Sequence, residues 1–159
     1  KVVGCVTTVK QPLRGCKVVP LGAMPYVAVA QPRYAAQHLP KGLDAHNFRA
    51  VSFVAFNRKD DLQGEFVARA FRLKRVALNQ LFVPSSEGQV RAALAGWGVS
   101  VVPLLQVRGL LEQGRLVNVA PASSLPVQLY WHCWNLASEV LTQLTAALTR
   151  AAEQALSPR

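Results

Sequence analysis

The sequence predicts an α/β fold with a mostly parallel sheet and helices on its faces. Three observations carry that expectation. Short β-branched runs alternate with amphipathic stretches along most of the chain. One of those runs, AVSFVAF at 50–56, is almost continuously apolar, as a strand covered on both faces must be. Helix-start patterns recur just after two of the strands end.

The elements follow in order. KVVGCVTTV, CKVVPL and YVAVAQ read as three strands, each β-branched or apolar and bounded by Gly or Pro. After the 50–56 strand, NRKDDLQGEFVARAFRL places Leu62, Phe66 and Ala70 at helical spacing beside Val67 and Phe71. Asp60 with Gln63 gives a capping-box pattern at the start of that helix. LNQLFV returns as a strand. Ser86 with Gln89 then repeats the capping pattern, and Val90, Ala93, Leu94 and Trp97 form the next buried stripe, stopped by Gly96 and Gly98. VSVVP is a strand, LLQVRGLLEQG a helix ending at Gly114, and RLVNVA a strand, so the order is βαβαβαβ. SSLPVQLYWHCW leads into an aromatic strand. Ser138 caps a long final helix with Leu136, Val140, Leu144, Leu148, Ala151 and Ala155 along one side.

Bulk properties narrow the function classes. With 159 residues, 51% of them hydrophobic, the chain buries one or two small cores and is too apolar for a disordered segment. No apolar run reaches the roughly 18 residues that span a bilayer, and the N-terminus lacks a secretory pattern, so a soluble, cytoplasmic protein is expected. Cys5, Cys16 and Cys133 are too few and too scattered for a disulfide framework, and reduced thiols are the default. The chain opens directly on a strand, and its single methionine is Met24, which reads as a piece of a longer protein. A net charge of +10 invites a nucleic-acid reading. The only dense basic cluster, however, is Arg69, Arg72, Lys74 and Arg75 at a helix C-terminus, where cations complement the macrodipole, and no DNA-binding pattern accompanies it.

The stretches VVGCVTTVKQPLRGCKVVPLGAMPYVAVAQPRYA, VAFNRKDDLQGEF, VPSSEGQVRAALAGWGVSVVPLLQV and GRLVNVAP, followed by LYWHCW, carry a resemblance. Together they are similar to the effector domain of LysR-type transcriptional regulators, in the branch of chromosome-initiation inhibitors and arginine-transport regulators. The resemblance runs through essentially the whole chain. It implies a two-lobed domain of the type II periplasmic-binding-protein kind with an incomplete first lobe: 1–21 and 127–159 belong to that lobe, and 22–126 form the second. It also implies a basic amino-acid co-effector, lysine or arginine, held in the cleft between lobes. DNA contact would come only through an N-terminal winged helix-turn-helix absent from this chain. Because the first-lobe strands that neighbour VVGCV would be absent too, an unpaired sheet edge and a homo-oligomer are expected.

Candidate ligand residues follow. Ligands of open α/β sheets bind outside the carboxyl ends of strands, where helix starts present partial positive charge and free N–H groups. Ser85 and Ser86 sit at one such end, with Glu87 beside them, and Asp60 and Asp61 sit at its neighbour. The hydroxyls suit a carboxylate or an ammonium. Asp60 and Ser86 also read simply as N-caps. A buried ammonium needs a carboxylate partner, for which Asp61 is the first choice, with Asp60 as cap. Thr7 and Thr8 end the first strand and read either as cleft residues or as ordinary strand residues. Arg58 and Lys59 would oppose a cationic guest.

Other constellations are set aside. His132 and Cys133 are adjacent in a strand and face opposite sides, so they cannot chelate one metal or act as a nucleophile pair. Trp131 and Trp134 are expected to pack in a core or on the long helix. No cofactor, metal or catalytic group is expected. A solute-binding protein of the periplasmic type is the alternative, and a small α/β enzyme a third reading.

Overall fold

The computed structural model describes residues 2–158. Along the chain run β1 (Gly4–Thr7), β2 (Cys16–Ala30), α1 (Pro32–His38), a 3-10 turn at Asn47–Ala50, β3 (Ser52–Ala55), α2 (Leu62–Phe71) and β4 (Asn79–Phe82). These are followed by α3 (Ser86–Leu94), β5 (Val99–Pro103), α4 (Leu104–Glu112), β6 (Val117–Asn118), β7 (Leu125–Trp134) and α5 (Glu139–Ala155). The chain forms two compact units, Lys1–Pro25 with Pro126–Arg159, and Tyr26–Leu125.

The Tyr26–Leu125 unit is built on β3. Its backbone pairs in parallel with β4 on one side, Ser52 to Ala55 opposite Asn79 to Phe82, and with β5 on the other, Phe53 opposite Val99 and Val54 opposite Ser100. Phe53, Val54 and Ala55 have no exposed surface, which accounts for the unbroken apolar run in this strand. β2 is antiparallel to β5 and to β6, so the sheet is mixed rather than mostly parallel. The core gathers Val27 and Val29 of β2, Val90 and Ala93 of α3, Val102 of β5, Val107 of α4, and Leu116. Gly98 passes so close to the backbone of β3 that a Cβ would meet Ser52 O at 2.4 Å, so glycine at this position is required by packing.

In the other unit β1 pairs antiparallel with β7, Gly4 opposite Cys133 through Thr7 opposite Tyr130, and β7 pairs with β2. β1 is hydrogen-bonded on one side only among the described residues. Leu21, Trp131, Cys133 and Ala152 form the core here. Trp131 Nε1 donates to Thr145 Oγ1 on α5 at 2.9 Å, so this tryptophan packs on the long helix. Trp134 is exposed and donates to Val2 O. His132 and Cys133 are both buried. His132 Nε2 lies 2.6 Å from Val9 O, and its Nδ1 has no hydrogen-bond partner among the described residues.

Several expectations change. CKVVPL and YVAVAQ are one strand, β2, in spite of Pro20 and Pro25. Pro25 lies just before Tyr26, where the pairing of β2 with β5 begins opposite Pro103, so its missing N–H falls outside that ladder. Helix α1 and the 3-10 turn were not foreseen, being short and weakly patterned. RLVNVA shrinks to the two residues of β6. Trp97 is 59% exposed because α3 ends at Leu94, before the stripe reaches it. On α5 the buried side carries Leu141, Thr145, Leu148 and Ala152; of the expected stripe only Leu148 lies there, and Val140 is 74% exposed. That helix is apolar over a wide arc, so periodicity alone selected the wrong face. Its cap is as expected, with Ser138 Oγ accepting from Leu141 N.

Candidate functional site

Because β3 runs parallel to β4 and β5, the carboxyl ends of these three neighbours lie at one edge of the sheet. Each is followed by a helix: β3 by α2, β4 by α3, β5 by α4. Three helix starts therefore crowd the same edge, with adjacent strands about 4.8 Å apart. A cavity of about 420 Å³ opens there, lined by Phe56, Asn57, Lys59, Asp60 and Leu62 after β3, by Ser86 and Gln89 of α3, by Val101, Val102 and Pro103 of β5, by Gln106 of α4, and by Tyr26 of β2.

Asp60 is the only carboxylate in that lining. Its position is fixed by the turn it makes: Oδ2 accepts from Phe56 N at 2.8 Å and from Gln63 Nε2 at 3.1 Å, and Oδ1 accepts from Leu62 N at 3.2 Å. Asp60 and Gln63 do pair, but side chain to side chain rather than as the reciprocal capping box expected: Asp60 N donates to Asn57 O, and the residue at the N-cap position is Asp61, whose side chain makes no capping bond. Gln63 is fully buried, and its Oε1 finds no hydrogen-bond partner among the described residues. Burying that unsatisfied acceptor is unfavourable, and what it secures is the orientation of Asp60.

Ser85, rather than Ser86, caps α3. Its backbone is extended (φ −157°, ψ 129°), and its Oγ accepts from Gly88 N at 3.1 Å. Ser86 is the first helical residue; it lines the cavity, and its hydroxyl makes no capping bond among the described residues. Ser85→Ala should lower stability by about 1 kcal/mol, as loss of an N-cap does. Ser86→Ala should change it by less than about 0.5 kcal/mol. Urea unfolding of the two variants reads the difference.

The remaining candidates lie elsewhere. Asp61 is exposed and lines a separate groove of about 530 Å³ with Arg58, Glu65 and Lys74, a groove that Asp60 also touches. Glu87 is exposed in the first turn of α3, where a negative charge complements the helix dipole. Thr7 closes β1 with its Oγ1 accepting from Val9 N, and Thr8 is exposed; both belong to the unit of Lys1–Pro25 with Pro126–Arg159. Arg69, Arg72, Lys74 and Arg75 are all exposed around the C-terminus of α2.

Tyr26, Gln89, Pro103 and Gln106 line the cavity and were missed from sequence. The signal was there: VVPLLQ is a third strand-to-helix turn of the kind already singled out twice, but it carries no hydroxyl or carboxylate. Its helix, α4, starts at Pro103 without any side-chain cap, so its first-turn N–H groups are not satisfied by a capping side chain. Tyr26 reports on the electrostatics. Burial, and then the negative charge of Asp60, hold its phenol above the ordinary tyrosine value. A raised folded-state value means that this contribution to stability is complete below the unfolded pKa of about 10 and is lost as pH climbs through the folded value. Asp60→Asn should therefore lower the Tyr26 midpoint, measured by tyrosinate absorbance with Tyr26→Phe as the assignment.

Comparison with known proteins places these features in context. The LysR substrate binding domain family matches residues 5–155. The chain is 38% identical over 152 residues to the HTH-type transcriptional regulator ArgP of Pseudomonas aeruginosa, covering 93% of this chain and 49% of that protein. It therefore spans about half the length of the curated relatives it matches. Among solved structures, ArgP of Mycobacterium tuberculosis is similar with a TM-score of 0.88 and 36% identity, over 99% of this chain and 53% of that one. Full-length LysG of Corynebacterium glutamicum with arginine bound as effector is similar with a TM-score of 0.79 and 30% identity, over 99% and 53%.

Proposed function

This chain belongs to the LysR substrate binding domain family, and we propose that it is the ligand-sensing part of a transcriptional regulator that responds to a basic amino acid, lysine or arginine. The observation that carries this reading is the single cavity into which the turn after β3 brings Asp60 and the start of α3 brings Ser86. A carboxylate, a free hydroxyl and neighbouring helix starts form a receptor for a small guest carrying both charges. The relatives named ArgP and the arginine-bound LysG support the choice of guest. The family favours a regulator over a periplasmic solute-binding protein or an enzyme.

Asp60 and Ser86 are assigned to ligand contact. Ser85 holds the start of α3 in place, and Asp61 and Glu87 shape the surrounding field. Thr7 and Thr8 are assigned a supporting part, read by Thr7→Val and Thr8→Val. The regulator works in the cytoplasm as a homo-oligomer. DNA recognition falls to the portion of such regulators with which this chain does not align. Effector binding must favour one arrangement of the regulator over another, or nothing reaches the operator.

The test is calorimetric titration of the twenty amino acids into a full-length regulator carrying this chain. Lysine and arginine are expected to bind most tightly. Absence of heat with both, or tighter binding of an acidic amino acid, contradicts the reading.

A further inference from the structure

We infer that the Tyr26–Leu125 unit carries a second surface, at the edge of its sheet opposite the cavity, which binds the phosphate backbone of duplex DNA without reading its sequence. β3 and β4 are parallel neighbours joined through α2, so α2 returns the chain to the edge where both strands begin. The last turn of α2 carries Arg69, its C-cap is Arg72, and Lys74 and Arg75 follow in the link to β4; all four are exposed. Arg49, also exposed, reaches the same edge just before β3. There the side-chain amide of Asn79, the first residue of β4, donates to Arg49 O at 2.8 Å. The Arg49 guanidinium lies over the ring of the buried Phe48, 5.1 Å from its centre.

Cations near a helix C-terminus complement its dipole, but that effect falls off within the last turn. It accounts for Arg69 and not for Arg75, past the helix end, or for Arg49, on another element. Carboxylates are also missing from these segments: 45–59 and 66–86 contain no Asp or Glu. Asp44, the nearest acid before Arg49, spends Oδ1 on His46 N and Asn47 N. Lys74 also lines the groove that holds Asp61 and Glu65, so the four arginines carry the surface.

The backbone of Arg72 is a second, independent observation. Its φ of 56° is left-handed, and it is the one non-glycine residue with positive φ among the described residues. Beyond the ends of α3 and α4 the same region is taken by Gly96 and Gly114. A side chain with a Cβ makes that conformation unfavourable, and glycine does not. An arginine held there against its own backbone preference points to a use for its side chain. Guanidinium forks match phosphate oxygens in pairs, which a lysine ammonium cannot do. Contacts to phosphate position a protein on a duplex and carry no sequence information. They are therefore compatible with operator recognition by another part of the regulator.

The inference rests on the reading of this chain as part of a transcriptional regulator, and not on which guest fills the cavity. Anisotropy of a labelled duplex of arbitrary sequence, titrated with this chain between about 50 and 200 mM salt, tests it. The logarithm of affinity should fall against that of salt with a slope of about −4, the value for four to five neutralised phosphates. Arg69→Gln, Arg72→Gly and Arg75→Gln together should reduce the slope by about 2 to 3 and weaken binding at 50 mM salt by about tenfold or more. Lys10→Gln, Arg14→Gln and Arg150→Gln together remove the same charge from exposed positions of the other unit, and should leave the slope within about 1. Arg72→Gly alone should weaken DNA binding while its urea midpoint is no lower than the parent's. No binding at 50 mM salt, equal losses from the two triple variants, or a lowered urea midpoint for Arg72→Gly overturns the inference. So does poly-glutamate binding as tightly as the duplex, which would assign the surface to an acidic protein. Each of these failures leaves the amino-acid reading, tested by its own titration, standing.

Discussion

Phe53→Ala is expected to lower the stability of the protein by about 3–5 kcal/mol, the usual cost of emptying a phenylalanine site in a closed core. Phe53 has no exposed surface, and it sits at the register point where β3 meets Gln80 of β4 on one side and Val99 of β5 on the other. The cavity left behind would therefore loosen all three strands whose ends carry the ligand receptor. Val83 N donates to Ala55 O at 2.8 Å, so the approach to α3 is itself hung on the end of β3. Domains of ordinary stability have only about 5–15 kcal/mol in total, and a loss of this size should shift the urea midpoint far enough to weaken binding at physiological temperature. The comparison is Val6→Ala on β1, where the side chain is 48% exposed and the change should stay within about 0.5 kcal/mol. Equal, small effects at both positions would mean that β3 is not the spine of its unit.

Asp60→Ala should reduce lysine affinity by about ten- to a hundredfold or more, since it removes the only carboxylate in the cavity lining. It also takes away the acceptor shared by Phe56 N, Leu62 N and the Gln63 amide, so a stability loss of about 1–3 kcal/mol accompanies it. Circular dichroism at the titration temperature distinguishes an emptied site from an unfolded one. Asp61→Ala is the control. That carboxylate lies in the neighbouring groove and forms no capping bond, so lysine affinity should stay within about threefold of the parent. A larger loss from Asp61→Ala than from Asp60→Ala would reassign the carboxylate partner.

Much of this architecture was legible in the residues. The α/β alternation in 50–120 follows from the period of the apolar residues and from paired helix-start signals, and the structure has β3, α2, β4, α3, β5 and α4 in that order. Bringing the turns at Asp60 and Ser86 to one edge follows from parallel strands, and the cavity they share bears this out. What could not be read depends on tertiary choices. A capping pattern does not say which of two consecutive serines turns extended, and Ser85 does. A carboxylate pair does not say which member folds back onto its own turn, and Asp60 does. Tyr26 reaches the cavity because Tyr26 of β2 stands opposite Pro103 of β5 in antiparallel register, a pairing between residues far apart in sequence that no local pattern encodes. The face of α5 was misjudged for the same reason: Leu141 and Val140 are equally apolar, and only the sheet beneath decides which is covered.

The claim that a small amino acid is held at the shared edge of β3, β4 and β5 is tested most directly by backbone amide chemical shifts of this chain during a lysine titration. Saturable shifts concentrated at 56–62, 86–89 and 104–106 are predicted, with the amides around 64–80 in the neighbouring groove little moved. Shifts clustered in that groove instead, or none in the three turns at ligand excess, would contradict it.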